Sequence, residues 1–424
     1  MKSSIIPYES ALPYESALLE NSKESWLQNL ARKQVVSRLQ GLSHGELIIR
    51  EGNNESYFGD TVTEDRPRIH VQVHHASFWS DIAFGGGVGA GEAYIKGSWS
   101  CNDLVGLLRL LIKNQSVTDT IDSQLLNIKK PILKALHYLS RNTRSGSVKN
   151  IRAHYDLSNN FFELFLDKTM MYSCAYYDGQ AKSLEKASVA KLDMVCQKLE
   201  LKPEDHLLEI GTGWGGLALH AAQNYGCKVT TTTISKEQYH YAKSRIAQAG
   251  LSHRVEVLLN DYRDLEGRYD KVVSIEMIEA VGHQFLDTYF EQCNRLLKPS
   301  GRMLIQAITI IDKRYKSALK RVDFIKQYIF PGGFLPSVTA MSQSIANATD
   351  MKIIHLQDIG EHYATTLNDW KKRFLNRIDE VREQGYSDMF IRMWEYYLDY
   401  CQAGFRENYL GTVQILMHKD AHAH

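Results

Sequence analysis

The spacing of apolar and polar residues changes character along the chain. From Leu47 to about Trp79 it is strand-like, and Ile69-His70-Val71-Gln72-Val73-His74 alternates with period two. Asn102 to Asn114 instead sets Leu104, Leu107, Leu108 and Leu111 on one helical face. Between them, Gly85-Gly86-Gly87-Val88-Gly89-Ala90-Gly91 reads as a flexible turn before a short helix, since no Gly-Lys-Ser/Thr closes it into a phosphate cradle. These elements make a small N-terminal α+β unit. Further on, strand and helix patterns alternate, the signature of a parallel sheet. Strands are expected at Leu207–Ile210, Lys228–Thr233, Val255–Leu258, Lys271–Ile275 and Arg302–Ala307. A last pair, Lys352–Gln357 and Gly411–Met417, brackets two helices. The expected fold class is α/β, a doubly wound Rossmann-like sheet.

The first of these strands, Leu207-Leu208-Glu209-Ile210, runs into Gly211-Thr212-Gly213-Trp214-Gly215-Gly216 and then an Ala/Leu helix. Gly211 and Gly213 permit positive φ and close backbone approach. The following helix directs free N–H groups and its positive dipole end into the same space. Such a turn cradles the polar middle of a nucleoside cofactor. A nicotinamide enzyme places a carboxylate at the end of the second strand, whereas here Thr230-Thr231-Thr232-Thr233-Ile234-Ser235 ends in hydroxyls. That difference and the Gly-x-Gly-x-Gly-Gly spacing tilt the choice toward S-adenosylmethionine (SAM).

At 424 residues the chain has room for two or three domains. Its net charge of +1 argues against a dedicated nucleic-acid binder. The six cysteines contain no Cys-x-x-Cys, so no metal site is signalled. No apolar run approaches membrane-spanning length and no signal peptide is evident, which fits a cytoplasmic protein. Residues 1–20 form a tail holding a duplicated Pro-Tyr-Glu-Ser-Ala-Leu hexapeptide. From Ser123 to Tyr155 there is no acidic residue, but Lys129, Lys130, Lys134, Arg141, Arg144, Lys149 and Arg152 all fall there. A basic amphipathic helix of this kind suits either an anionic lipid surface or an ordinary solvated linker. A second basic stretch lies in an insertion at 309–348, with Lys313, Arg314, Lys316, Lys320, Arg321 and Lys326. Aromatics crowd the segment before the cofactor strand: Tyr155, Phe161, Phe162, Phe165, Tyr172, Tyr176 and Tyr177. They serve either as core or as the lining of a lipid or cation pocket.

Five co-linear motifs carry a resemblance: Tyr172-Ser173-Cys174-Ala175-Tyr176, the Gly211–Gly216 turn, Thr233-Ile234-Ser235 with Gln238, Asp261-Tyr262-Arg263-Asp264 and Tyr328-Ile329-Phe330-Pro331. Over residues 85–418 the chain resembles cyclopropane-fatty-acyl-phospholipid synthases and the related mycolic acid methyltransferases. The resemblance implies a class I SAM-dependent methyltransferase fold with a smaller N-terminal lipid-binding domain. The division it suggests is a lipid-binding domain over 21–122, a basic helical linker over 123–150 and a catalytic domain over 151–424. It further implies methylene transfer from SAM to the cis double bond of an unsaturated phospholipid acyl chain at the inner leaflet of the cytoplasmic membrane, with no nucleic-acid partner and room for a homodimer.

Position by position, the resemblance assigns SAM to Tyr172, Ser173, Gly211, Gly213, Thr233, Ile234, Gln238, Tyr262 and Arg263. It assigns a bicarbonate ion, the base that closes the ring, to Cys174, Glu279, Gln306, Ile308 and Tyr363, and an active-site cysteine to Cys401. Two residues depart from the family pattern. Ala280 and Gln306 each stand where a histidine is expected. A cyclopropane, a plain methyl branch and a methylene branch all begin with the same transfer, so the product stays open among them. Two rival readings share the fold: a methyltransferase for small molecules or nucleic acid, and a lipid-binding protein without activity.

Overall fold

The computed structural model describes residues 26–60, 68–118, 157–179 and 181–421. The N-terminal tail with its hexapeptide repeat, the basic linker and Tyr155 lie outside them. Two sheets organise the described residues. The first has four strands in the order β2-β1-β3-β4, with β1 Glu46–Glu51, β2 Asn54–Gly59, β3 Arg68–Val73 and β4 Trp99–Cys101. Its helices are α1 Trp26–Leu39, α2 Ser77–Ile95 and α3 Leu104–Lys113, the last capped by Asp103, whose carboxylate accepts the Gly106 N–H at 2.8 Å.

Helix α2 corrects the expected turn. The glycine run is helical throughout except at Gly86 (φ 55°, ψ −141°), where the axis kinks. Close packing explains the composition: a Cβ on Gly91 would come within 2.8 Å of the Phe324 ring. The low helix propensity of glycine is here outweighed by the approach it permits.

The second sheet has seven strands in the order β10-β11-β9-β8-β5-β6-β7. They are β5 His206–Ile210, β6 Lys228–Thr232, β7 Val255–Leu258, β8 Tyr269–Ile275, β9 Leu297–Ile310, β10 Met351–Asp358 and β11 Leu410–Lys419. Strands β5 to β9 pair in parallel, and β11 lies antiparallel to β9 and β10. The strand order reverses at β5, between β6 and β8, so a crevice opens at the strands' carboxyl ends.

Helices α4 Asn159–Glu163 and α5 Leu184–Leu199 precede β5, and α6 Gly216–Tyr225, α7 Lys236–Gln248 and α8 Leu286–Leu296 fall between the strands. Serine caps start several of them: Ser183 accepts from Lys186 N–H and Ser235 from Gln238 N–H. After β9 come α9 Asp312–Lys320 and α10 Val338–Ala348, then α11 Gly360–Asn376, α12 Ile378–Glu383 and α13 Asp388–Arg406. Phe161, Phe165, Trp370, Phe374, Phe390 and Trp394 are fully buried, and one apolar core joins them to Trp79 and Leu107 of the N-terminal unit. The helices over the sheet and the four-stranded unit therefore share one interior.

Candidate active site

Glycine geometry shapes the turn after β5. Gly211 has φ 101° and Gly213 φ 51°, and a Cβ on Gly213 would meet nothing within 4 Å, so open space lies beside the backbone there. At the end of β6, Thr233 Oγ1 donates to Gln238 Oε1 at 2.9 Å, while Ile234 is 77 % exposed. An aliphatic side chain so uncovered at a strand end suits a planar ring laid against it. After β7, Arg263 clamps Asp261 through two hydrogen bonds of 2.9 and 2.7 Å, with its guanidinium 6.0 Å from the Tyr262 ring centre. The open glycine turn, hydroxyl-amide pair and uncovered isoleucine fit a nucleoside cofactor.

Two buried ionisable groups lie near this turn. Lys191, on α5, is fully buried and donates to Ser173 Oγ at 3.0 Å. Burial lowers its pKa to about 8, against the opposing pull of Glu276. Glu209, on β5, is pushed up to about 8 by burial, and its carboxyl meets the Thr231 hydroxyl at 2.7 Å. Neither residue stood out in the sequence.

The residues expected to hold bicarbonate do converge, but on the chain itself. Glu276 Oε1 accepts the Cys174 N–H at 2.9 Å and the Gln306 amide at 2.8 Å, and its Oε2 accepts the Tyr363 hydroxyl at 2.7 Å. The fourth donor, Ile308 N–H, goes to Glu279 Oε1 at 2.6 Å. Protein carboxylates thus engage the four donors that the resemblance gives to an external anion. Burial pushes Glu276 above the ordinary carboxylate range, against the pull of its three donors. Burial and then the neighbouring Glu276 raise Glu279 to about 8, and its Oε2 is enclosed without a partner among the described residues. The Cys174 thiol is completely buried and desolvation pushes it up, while its backbone N–H is the group that meets Glu276.

Gln306 is held in one orientation from across the sheet. Lys198 Nζ, which can only donate, meets Gln414 Oε1 at 2.6 Å. Gln414 must then turn its NH₂ toward Gln306 Oε1, at 2.9 Å, so the Gln306 NH₂ faces Glu276. Gln414 and Gln306 are register partners on β11 and β9, and Gln306 is opposite Ile275 on β8.

Aromatic rings wall the same end. Tyr172 meets Tyr397 hydroxyl to hydroxyl at 2.7 Å, and its ring lies 5.2 Å from Trp370 and 6.5 Å from Phe330. Trp370 in turn lies 6.0 Å from Tyr363, which joins this wall to the carboxylates. Tyr176 turns aside and meets His362 edge-on at 4.6 Å. Cys401 sits one turn beyond Tyr397 on α13, and its thiol is raised by burial. It belongs to the aromatic side, whereas Cys174, Glu279, Gln306, Ile308 and Tyr363 gather around the carboxylates.

A parallel sheet reversing at a glycine turn, extended by an antiparallel strand and roofed by helices, defines the class I SAM-dependent methyltransferase fold. The family can also be named. The model of the mycolic acid cyclopropane synthetase family matches residues 142–415, and the chain belongs to that family. It is 39% identical over 350 residues to the cyclopropane-fatty-acyl-phospholipid synthase of Escherichia coli K12, covering 82% of this chain and 87% of that one. It is equally similar, 39% over 335 residues, to the tuberculostearic acid methyltransferase UfaA1 of Mycobacterium tuberculosis, covering 77% and 78%. Among solved structures it resembles the cyclopropane synthase MmaA2 from Mycobacterium tuberculosis, with TM-score 0.59 and 30% identity over 64% of this chain and 98% of that one. The mycolic acid cyclopropane synthase CmaA1, solved with SAH and CTAB, gives TM-score 0.57 and 32% identity over the same shares.

Proposed function

We propose that the protein transfers a methylene from SAM to the cis double bond of an unsaturated phospholipid acyl chain, forming a cyclopropane fatty acid. The observation that carries this reading is the junction of an aromatic wall with a carboxylate cluster at the carboxyl ends of the strands. Tyr172, Ser173, Gly211, Gly213, Thr233, Ile234, Gln238, Tyr262 and Arg263 would hold SAM, which supplies an electrophilic methyl on a sulfonium. An alkene is a weak nucleophile, so the chain's task is to hold it in line at near-attack distance. Addition of the methyl to one alkene carbon leaves its neighbour cationic. The faces of Tyr172 and Tyr397 suit that charge, a cation–π attraction being worth about 2 kcal/mol in a dry site. The same rings keep out the water that would convert the cation to an alcohol. A base must then take a proton from the added methyl.

In this reading the enzyme works at an anionic membrane surface, as a peripheral protein on the cytoplasmic side. Lys313, Lys316, Lys320 and Arg321 are exposed along and just after α9. Ile311, Val322 and Phe330 beside them are 43 %, 64 % and 47 % exposed. Charged and apolar groups side by side suit headgroups and acyl chains together, and Phe330 also reaches Tyr172. Among the described residues no helix is long and apolar enough to cross a membrane. The N-terminal unit over 21–122 would help seat the lipid.

The test is incubation of the purified protein with SAM and vesicles of unsaturated phospholipid. Mass spectrometry should show a gain of one CH₂ per chain, and proton NMR the high-field signals of a cyclopropane. Vesicles that acquire no label from SAM would overturn the reading. A second reading, a methyl- or methylene-branched product without ring closure, is favoured by the similarity to a tuberculostearic acid methyltransferase. The same NMR spectrum separates the two.

A further inference from the structure

We propose that Glu276 is the proton acceptor of ring closure, a carboxylate of the chain standing where the resemblance places bicarbonate. The inference rests on the methylene transfer proposed above and on one juxtaposition: the Cys174 N–H, the Gln306 amide and the Tyr363 hydroxyl all point at Glu276. Three donors around one group make an oxyanion socket, and here it is filled from within. An external anion would have to displace Glu276 from all three contacts while lying against its charge.

The backbone shows that the placement is held in position. Glu276 continues the β8–β9 ladder, its N–H donating to the Gln306 carbonyl at 2.7 Å, and then turns the chain at φ 48°. Glutamate is an unusual choice in the left-handed region, where glycine is at ease, and such strain persists only where the surroundings over-determine it. The three hydrogen bonds on the side chain supply that constraint. Glu279 has a different role. Its carboxylate accepts a single donor, the Ile308 N–H, against three for Glu276, and burial and the charge of Glu276 raise it to about 8, so Glu276 is the better-stabilised anion of the two.

The step balances without any further reagent. A carboxylate oxygen of Glu276 takes one proton from the methyl that has joined the acyl chain. The electrons of that C–H bond form the bond from the methyl carbon to the cationic carbon, which closes the ring and cancels the charge. Glu276 then returns the proton to solvent.

The experiment compares wild type, Glu276→Gly and Glu276→Gln in buffer stripped of carbon dioxide and with bicarbonate restored. Glycine relaxes the φ 48° backbone, and glutamine keeps the size without the base; thermal melting checks that both fold. Wild type is expected to close rings equally well with and without bicarbonate. Both variants should lose ring closure at least about a hundredfold, while labelled methyl still reaches the lipid. Added bicarbonate should restore the ring in Glu276→Gly, whose socket is vacated. A readout independent of turnover is ¹³C-bicarbonate NMR: saturable binding to Glu276→Gly and none to wild type. Wild type that needs bicarbonate, or binds it as the glycine variant does, would overturn the proposal, as would ring closure intact in Glu276→Gln. Failure of wild type to label any lipid would count against the proposed function, and the bicarbonate titration would still decide the role of the socket.

Discussion

Glu92 of α2 and Tyr328, in the turn that precedes Phe330, meet with carboxylate and phenol oxygens 2.5 Å apart, 236 residues apart in the chain. The contact joins the N-terminal unit to the π-helical turn Ile325–Ile329, which leads into the exposed Phe330 at the aromatic wall. Through it, the unit assigned to lipid bears on the mouth of the site. Tyr328→Phe removes a hydrogen bond to a carboxyl group, worth about 1.5–3 kcal/mol. The expected outcome is a higher KM for vesicles with unchanged SAM affinity, read by vesicle kinetics and calorimetry. A matching loss of SAM affinity would show that the contact holds the whole catalytic sheet and not its lip.

Gly213→Val places a branched side chain at φ 51°, in the open space assigned to the cofactor. Both the backbone conformation and the added methyl groups oppose SAM. Titration calorimetry should show affinity falling at least about tenfold, which is about 1.4 kcal/mol. Wild-type affinity in this variant would move the cofactor away from the turn.

Glu209 gives the stability of the fold a pH dependence. Its carboxyl is raised from 4.5 to about 8 on folding. Its contribution is therefore complete below about pH 4.5 and is lost as pH rises through about 8. Thr231 also stands 2.8 Å from the Thr212 hydroxyl, so a protonated Glu209 donating to Thr231 frees that hydroxyl's proton for Thr212 in the glycine turn. Glutamine can make the same donation at every pH. Glu209→Gln should therefore melt a few degrees above wild type at pH 8 and close to it at pH 5, measured by scanning calorimetry. A constant gap across that range would remove Glu209 as the titrating group.

Engagement of anionic vesicles should weaken with salt, since the Debye length shrinks from about 10 Å at 0.1 M to about 3 Å at 1 M. Lys316→Glu with Lys320→Glu, both exposed on α9, should reduce co-sedimentation with anionic vesicles and leave SAM binding untouched. Equal sedimentation at low and high salt would leave only the apolar tip, Val322 and Phe330, to account for binding.

The glycine turn and the sheet around it were legible in the sequence because their signals are local. The Gly211–Gly213 turn, the run of threonines and the strand–helix alternation each lie within one supersecondary unit, and the structure puts them at adjacent strand ends. Glu276 was not singled out, although Ile275-Glu276-Met277-Ile278-Glu279 shows two carboxylates three residues apart. Motif spacing drew attention to Glu279. Only the sheet register and the roof helices bring Cys174, Gln306 and Tyr363 onto Glu276 from 102, 30 and 87 residues away. The glycine run misled for a related reason. Its propensity is that of a turn, but the partners that make it a helix, such as Phe324, are more than two hundred residues distant.

The glutamine row from Lys198 to Glu276 sets how the site senses its surroundings. An imidazole in place of Gln306 would have two tautomers and a charge, and would change what it offers within the physiological pH range. Amides do not titrate. With an ammonium anchoring the far end, reversing either amide would set donor against donor, so the dipoles of Gln414 and Gln306 share one sense. The one titrating group of the row is then Lys198 on α5, whose pKa burial lowers to about 8, and three hydrogen bonds join it to the carboxylate at the strand end. Small movements of that helix would retune the site without a proton being exchanged.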